Sequence, residues 1–524
     1  MPIPATTKAR LLAARHLAVP QLGSDWRLHL LGGLVATLGL VATLLYPIVH
    51  ADATRPAAGI LQTRWLGPTL ILGGLLLSLF HRGWRGLARW ALIGLHMTHR
   101  TWTSRQIFLF GLAVSIRMIW IWSVHTGVIW DSEAYLEGAR GIAAGQGYRI
   151  NAQPSAYFPP GQSFFLASIL ILFPSGPLSL HIASAIVSAA TTCILAETGR
   201  RLWNARAGWH AGILLALYPD HILYANLLLS ETLFTFLLAG GCYHLSRVPD
   251  HRHPFRDAFV GGLWIALATY VRSITLFLPL ALLLLYVRNR RCRYAYLLTA
   301  VTVFATVAPW TFRNYRLLGG VVPISTNEGM NFYIAHHPKS RGGWNNAYRE
   351  ILREYGCSET KVNGAGPREQ ELNVRFRKDA FEYARHHPLR TLGVGLLSVV
   401  RLFLPLEKGG ATSVYYTLLC VPSAAAGFPL PPAWIGTAVV MSYLGMMLHL
   451  GLRFRERSMR DPRCRWILLT IAYFLVVHFV SFGADRYRQP LVPLLLLLCV
   501  APRGRGQTCL PRIAERIRAV FRRS

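Results

Sequence analysis

Charge is what this sequence has least of. Asp, Glu, Lys and Arg make up 15% of its 524 residues, where a soluble domain carries about 25%. Acids are the scarcer sign, 23 against 55 Lys and Arg. Hydrophobic residues make up 53%, and apolar runs of roughly 20 residues recur. Together these exclude a water-soluble globule and set the class as helical and membrane-spanning. The eight cysteines are scattered without metal-ligand spacing, and only Cys357 falls in the large polar loop, so that loop has no internal disulfide. A cleavable signal is not expected: residues 1–27 are polar and basic, and the first apolar run is too long for a signal core. Neither half shows a convincing internal repeat. The net charge of +32 invites a nucleic-acid partner. That reading is excluded because the arginines gather at the ends of apolar runs, where the positive-inside rule puts them.

What is present is a series of candidate spans near 28–48, 58–80, 106–129, 178–199, 208–224, 228–246, 257–271, 274–288, 293–310, 391–406, 413–430, 433–452, 465–483 and 488–501. The expected fold is an all-α polytopic bundle of about 12–14 transmembrane helices. The apolar segment 162–174 would reach only about 20 Å as a helix, short of a roughly 30 Å hydrocarbon core, so it reads as re-entrant or surface-lying. Keeping it from crossing puts Arg82, Arg85 and Arg89, then Arg200, Arg201 and Arg206, then Arg247, Arg252 and Arg256 on one side. Arg288 to Arg293, Arg453 to Arg460 and the basic tail join them, which makes that side cytoplasmic. The opposite side receives 130–161, the turn at Asp220, the loop 311–390 and Asp485 to Arg488. The pair 391–430 crosses twice or not at all, and the parity survives either way.

The chain divides into an N-terminal extension of two spans and a basic linker (1–105), a transmembrane core with its first loop (106–310), a loop region (311–390), C-terminal helices (391–501) and a basic tail (502–524). The tail suits an amphipathic helix on an anionic leaflet, or a solvated basic end.

Candidate chemistry collects on the outer side. After the span at 106–129 come Asp131, Glu133 and Tyr135, then a helical period through Leu136, Ala139 and Ile142, broken at Gly145 and Gly147. Tyr157, Phe158, Pro159, Pro160 and Gly161 close this loop. Two carboxylates at a membrane boundary are costly unless they face water or a partner. Asp131 reads either as a functional carboxylate or as the N-cap of the helix after it. A second acid, Glu231, opens a helix after Pro219-Asp220-His221. It is a functional candidate, or a charge favoured there by the macrodipole. Cations run against the general bias on this face: Arg272, Arg313 beside Asn314, Arg486 and Arg488. Guanidinium matches phosphate bidentately, and a phosphate at the membrane surface would account for them; the alternative is interfacial snorkelling.

The loop 311–390 is too polar to be embedded. Its start mixes short β-prone runs with turn residues. Its end reads as an amphipathic helix stopped at Pro388, with Leu372, Val374, Phe376, Ala380 and Tyr383 on one side. Asn327, Glu328, Asn331 and His337 are placed to contact a polar substrate. His336-His337 invites a metal, but without a third ligand at useful spacing the signal is weak; no cofactor is certain, and a divalent metal stays open but unsupported by ligand spacing.

In order, Asp131, Tyr135, Ala139, Ile142, the glycines before Tyr148 and the Pro-Pro-Gly resemble the bacterial branch of the GT-C glycosyltransferases. That branch is family 39-like and includes protein O-mannosyltransferases and lipid A aminoarabinose transferases. The resemblance continues through Ser230-Glu231, Tyr270 to Ser273, Pro309-Trp310 with Arg313-Asn314, Ser325 to Asn331, His387-Pro388 and Arg486 to Pro490, covering about 106–500. It implies transfer of a sugar from a polyprenyl-phosphate donor to a periplasmic acceptor at a bacterial inner membrane, with Asp131 at the catalytic position. The family's first-loop pair is two adjacent acids; here Ser132 separates Asp131 from Glu133.

Chemistry alone leads the same way. Acceptor deprotonation needs a base, and the leaving phosphate needs fixed cations. A single displacement inverts the sugar. The rivals are a secondary transporter, which would place ionisable groups at the bilayer midplane, and a non-catalytic envelope-assembly protein.

Overall fold

The computed structural model describes residues 101–128, 130–173, 176–249, 252–286, 288–354, 368–404, 432–453 and 461–502. The expectations for 28–48, 58–80, 413–430, Cys357 and most of 502–524 lie outside the described residues. All the described residues fall in one compact unit.

Helices dominate because apolar runs leave the backbone no polar partner but itself. The chain runs α1 (Trp102–Ser123), α2 (Asp131–Ala143), a hairpin β1 (Arg149–Ile150) and β2 (Gln153–Pro154), α3 (Gly161–Leu172), α4 (Pro177–Leu202) and α5 (Ala205–Ala216). It continues through α6 (Pro219–Ala225), α7 (Ser230–Leu245), α8 (Pro254–Val271), α9 (Leu278–Leu283) between two 3₁₀ turns, and α10 (Arg290–Leu318). Beyond α10 lie α11 (Asn327–Ala335), α12 (Tyr348–Glu354), α13 (Arg368–His386), α14 (Pro388–Phe403), α15 (Pro432–Arg453), α16 (Pro462–Val480), a 3₁₀ turn at Asp485–Leu491 and α17 (Val492–Val500). Starts are set by local chemistry. Thr101, Asn204, Asn289 and Asp461 accept backbone N–H bonds as N-caps, and proline opens α4, α6, α8, α14 and α16.

Four described helices are long and apolar enough to cross a membrane: 102–123, 177–202, 290–318 and 463–480. The pair α6–α7, bent by 116°, is a fifth if its two arms count as one broken span rather than a re-entrant loop. Among the described residues fewer segments reach that length than the hydropathy pattern implies, and proline breaks two of the runs. Pro219 divides 208–224 into α5 and α6, and the segment around Pro279 becomes 3₁₀–α–3₁₀ pieces. The 162–174 segment is a single 12-residue helix.

The main core joins α5, α7, α8, α10, α16 and α17 through residues such as Leu215, Phe234, Ile265, Val303, Phe474 and Leu495. A second, smaller core gathers Tyr157, Met330, Tyr333, Ile351, Leu372, Phe376 and Phe482. It gives α11–α13 their stability, with Leu372 and Phe376 contributing about 1.5–3 kcal/mol each.

Several local expectations are corrected. The first described span stops at Ser123 rather than 129, because Val124 turns extended and its carbonyl is taken by Asn226. The helix α10 runs through Pro309 to a left-handed Gly319, so Arg313 and Asn314 lie inside a helix and not at a loop mouth. Residues 327–335 are helical, not β-prone. Val374 is exposed, since it stands two residues from Leu372 and Phe376, off their face.

Candidate active site

Four charged side chains from distant parts of the chain meet at one end of the bundle. The Arg486 guanidinium donates from Nη2 to Asp131 Oδ2 at 2.7 Å and from Nε to Glu231 Oε1 at 2.5 Å. Arg272 donates from Nη2 to the same Glu231 Oε1 at 2.6 Å and from Nε to Ser230 Oγ at 3.0 Å. Burial is graded: the Glu231 side chain is 0% exposed, Arg486 8%, Arg272 17% and Asp131 30%. Asp131 is therefore the carboxylate nearest solvent, and Glu231 the one held by both cations. Glu231 Oε2 has no hydrogen-bond partner. The ring of Tyr487 lies beneath both arginines, 5.3 Å from Arg272 Cζ and 5.7 Å from Arg486 Cζ, and itself stacks on His478. Two cations balance two carboxylates, which is what makes their burial tolerable.

Each group sits where regular structure begins or ends. Asp131 is the first residue of α2, after Trp130 at φ 51°. A bulky residue with positive φ is strained, and this bend turns the chain out of the extended segment after α1. Asp131 thus stands one place inside the helix, with its carboxylate on Arg486 and not in the N-cap position. Glu231 occupies the first turn of α7, where the helix dipole favours a negative charge. Arg272 follows the last residue of α8 in extended conformation. Gly161 explains the Pro-Pro-Gly sequence: a Cβ there would lie 2.7 Å from the backbone of Tyr270 and Val271. Only glycine lets α3 start against the residues that lead into Arg272.

The other candidates divide. Tyr135 is buried beside the cluster, edge-on to Phe158 at 5.3 Å. Burial first and the Asp131 charge second push its phenol above the ordinary range, so it stays protonated. Tyr157 is buried with its hydroxyl on Met330 Sδ. Glu133 is exposed and takes no part in the network. Arg313 lies over Trp310 at 4.5 Å and donates to the carbonyls of Ser155 and Tyr148, holding the first loop from behind. Asn314 is buried and donates to Val322 and Ile324 carbonyls. Arg488 donates to Leu402 and Leu404 carbonyls and lies over Tyr443, tying α14 and α15 to the turn that carries Arg486. Asn331 lies half-buried on α11, outside the network. His336 Nε2 bonds the Val480 carbonyl. Among the described residues no three His, Cys, Asp or Glu side chains gather as metal ligands.

Two contributors are not legible from local pattern. Tyr487 lies between two named arginines, and only its ring contacts reveal it. Glu369 is buried and accepts from the Ser155 hydroxyl at 2.7 Å and the Ala156 N–H at 3.1 Å, 214 and 213 residues away in sequence. Burial raises its carboxyl to about 7, against the opposing pull of these bonds and of Arg313.

Residues 158–312, which include Glu231 and Arg272, match the family model described as dolichyl-phosphate-mannose-protein mannosyltransferase. No match was found among curated proteins. Among solved structures the chain is similar to ArnT from Cupriavidus metallidurans bound to undecaprenyl phosphate, at 14% identity over 76% of this chain and 78% of that one, TM-score 0.38. It is also similar to the apo oligosaccharyltransferase of Archaeoglobus fulgidus, at 13% identity over 77% of this chain and 50% of that one, TM-score 0.44. The oligosaccharyltransferase AglB from Archaeoglobus fulgidus, in complex with an inhibitory peptide and a dolichol-phosphate, gives 13% identity over 80% of this chain and 55% of that one, TM-score 0.42.

Proposed function

We infer that this chain, a polytopic membrane protein with the fold of the GT-C glycosyltransferases, transfers a sugar from a polyprenyl-phosphate donor to an acceptor on the periplasmic face of a bacterial inner membrane. The observation that carries the reading is Arg486 bridging Asp131 and Glu231, with Arg272 on the same Glu231. A lipid-borne phosphate is the ligand such a site suits: the cations sit at helix ends of an apolar bundle, where a prenyl chain stays in lipid while its headgroup reaches the arginines. The description of the matching family model names a dolichyl-phosphate-linked sugar.

The chemistry follows from the charges. At rest each arginine is paired with a carboxylate. A donor phosphodiester competes for Arg486 and Arg272, and Asp131, the more exposed acid, is released from its ion pair. Its carboxylate then takes the proton of the acceptor hydroxyl as that oxygen bonds to sugar C1. The bond from C1 to the phosphate oxygen breaks, its electron pair leaves with the polyprenyl phosphate, and the guanidiniums stabilise the added charge. Glu231, enclosed by both arginines, keeps them in place. One displacement inverts the anomeric centre.

The test is transfer from a defined polyprenyl-phosphate sugar by purified protein in proteoliposomes, with solute flux measured in parallel. Transfer lowered by about 10²–10⁴-fold in Asp131→Asn supports the reading. Flux without transfer would make the protein a transporter.

A further inference from the structure

We propose that the short helix α6, with the residues that close it, is a positioning hub that sets the mutual geometry of Asp131, Glu231 and Arg486, and that His221, Asn226 and Gln489 are its positioning residues. The functional meaning of the hub rests on the transfer reading above; its geometry does not.

Three tethers leave this helix, one to each charged group. Asn226 closes α6. Its Nδ2 donates to the Val124 carbonyl at 2.7 Å, and its own carbonyl accepts from Thr126 Oγ1 at 2.7 Å. This two-way clasp holds the non-helical residues 124–126 that follow α1, a few residues before Asp131. The second tether is the Tyr224 carbonyl, which accepts from Thr232 Oγ1 at 2.9 Å and fixes the first turn of α7, where Glu231 sits. The third is His221, whose Nδ1 meets Gln489 Nε2 at 3.0 Å. Gln489 belongs to the 3₁₀ turn that carries Arg486.

Behind His221 the chain of bonds continues into the apolar bundle. His221 Nε2 faces the Ser188 carbonyl at 3.4 Å, and Ser188 Oγ donates back to the His221 carbonyl at 3.4 Å. Ser188 Oγ accepts from Arg117 Nε at 2.6 Å, and Arg117 Nη1 donates to the carbonyls of Ala113 and Ala216. A fully buried arginine within an apolar helix demands a reason. Here it anchors α1, α4 and α5 to the hub. Arg117, Ser188, His221, Asn226 and Gln489 are each no more than 2% exposed, so none of them is placed to touch substrate. The bonds assign His221 as a neutral ring: Nδ1 accepts from the Gln489 amide and Nε2–H donates to Ser188.

The purpose is register. One guanidinium reaches two acids from different elements, and a shift of the turn by about 1 Å breaks one contact. Misplacement on the order of 1 Å costs about 10²-fold in rate.

Two substitutions at one position separate positioning from space filling. In His221→Asn the amide oxygen takes the place of Nδ1 and keeps the bond from Gln489. In His221→Gln the polar group takes the place of Nε2 and loses it. Hydrogen–deuterium exchange of 481–491 and steady-state transfer are measured for the full-length protein in nanodiscs. His221→Gln is expected to exchange faster across 481–491 and to lose turnover by about 10²-fold, with undecaprenyl phosphate affinity changed only a few-fold. His221→Asn should stay close to wild type in both. Equal exchange in the two variants overturns the proposal. Thr126→Val provides a milder second test. It should speed exchange across 124–131, and an unchanged pattern there also overturns the hub. Exchange is read without activity: if the exchange pattern holds while wild type transfers no sugar, the hub stands and the transfer reading falls.

Discussion

At Arg486 one guanidinium answers two carboxylates, and removing either acid has a different consequence. Asp131 is the more exposed partner, 30% against 0% for Glu231. Asp131→Asn keeps a hydrogen-bond acceptor toward Arg486 but takes no proton, so turnover with a defined polyprenyl-phosphate sugar should fall by about 10²–10⁴-fold while the protein folds and binds donor. Near-wild-type turnover in that variant would falsify the assignment of Asp131 as base. Glu231→Ala takes the shared counter-ion from Arg272 and leaves buried Arg486 with Asp131 alone, and a loss of about 3–5 kcal/mol is expected, read as a lowered melting midpoint in detergent. Arg272 is the cation more open to a ligand. Arg272→Lys loses the fork that spans Ser230 and Glu231, and donor binding should weaken by about 1.5–3 kcal/mol in a titration with undecaprenyl phosphate. An unchanged affinity would place the phosphate elsewhere.

At the scale of elements, the bond between Glu369 on α13 and the segment 155–156 ties the outer helices to the first loop. The backbone pairs add to it: Thr326 N–H donates to the Ala156 carbonyl and Asn327 N–H to that of Tyr157. Burial holds the Glu369 carboxyl at about 7, above the ordinary value near 4.5. Between those values the folded protein binds a proton that the unfolded chain has released. Its contribution to stability is therefore full below about pH 4.5 and is lost as pH rises through about 7. Glu369→Gln mimics the protonated acid. Wild type should lose stability relative to this variant between pH 5 and 8, by about 3 kcal/mol at most. Parallel melting curves across that range would show that Glu369 stays ionised. Elements were legible where their signal was local. Pro388 does end the amphipathic helix, and Leu372, Phe376 and Ala380 do face inward. The hairpin 149–154 was not legible, since Asn151 and Ala152 both take positive φ and alanine is not a residue that advertises it. Nor was the length of α10, because packing against the 322–324 backbone carries it past Pro309. In the cluster, Asp131, Glu231, Arg272 and Arg486 stood out as charges against an apolar background. Tyr487, Glu369 and Asn226 are ordinary in their surroundings and gain roles from contacts with residues far away in sequence.

At the scale of the whole molecule, the exposed surface and the charge pattern together fix how the protein sits. Ile107, Ile119, Trp122, Leu284, Phe312, Leu389 and Val476 are each more than 60% exposed. No water-soluble protein presents so many large apolar side chains, and a bilayer covers them at no cost. The four charged groups lie at starts or ends of α2, α7 and α8 and in the turn before α17, so they share one end of the bundle. The opposite ends of α7, α8 and α10 carry Arg247, Arg252, Arg256, Arg290, Arg291 and Arg293, and Arg291 donates to the Arg252 carbonyl. On the positive-inside rule we propose that the basic end is cytoplasmic and that the charged cluster faces out. Cys464 is a poor reporter of this, because it is fully buried. Introduced cysteines at exposed arginines avoid the difficulty. In a background without accessible native thiols, Arg140→Cys on α2 should react with a membrane-impermeant maleimide in intact spheroplasts. Arg252→Cys should react only after permeabilisation. The reverse pattern would put Asp131 on the cytoplasmic side. It would then remove the reason for a polyprenyl carrier, because a soluble activated sugar could reach the site directly.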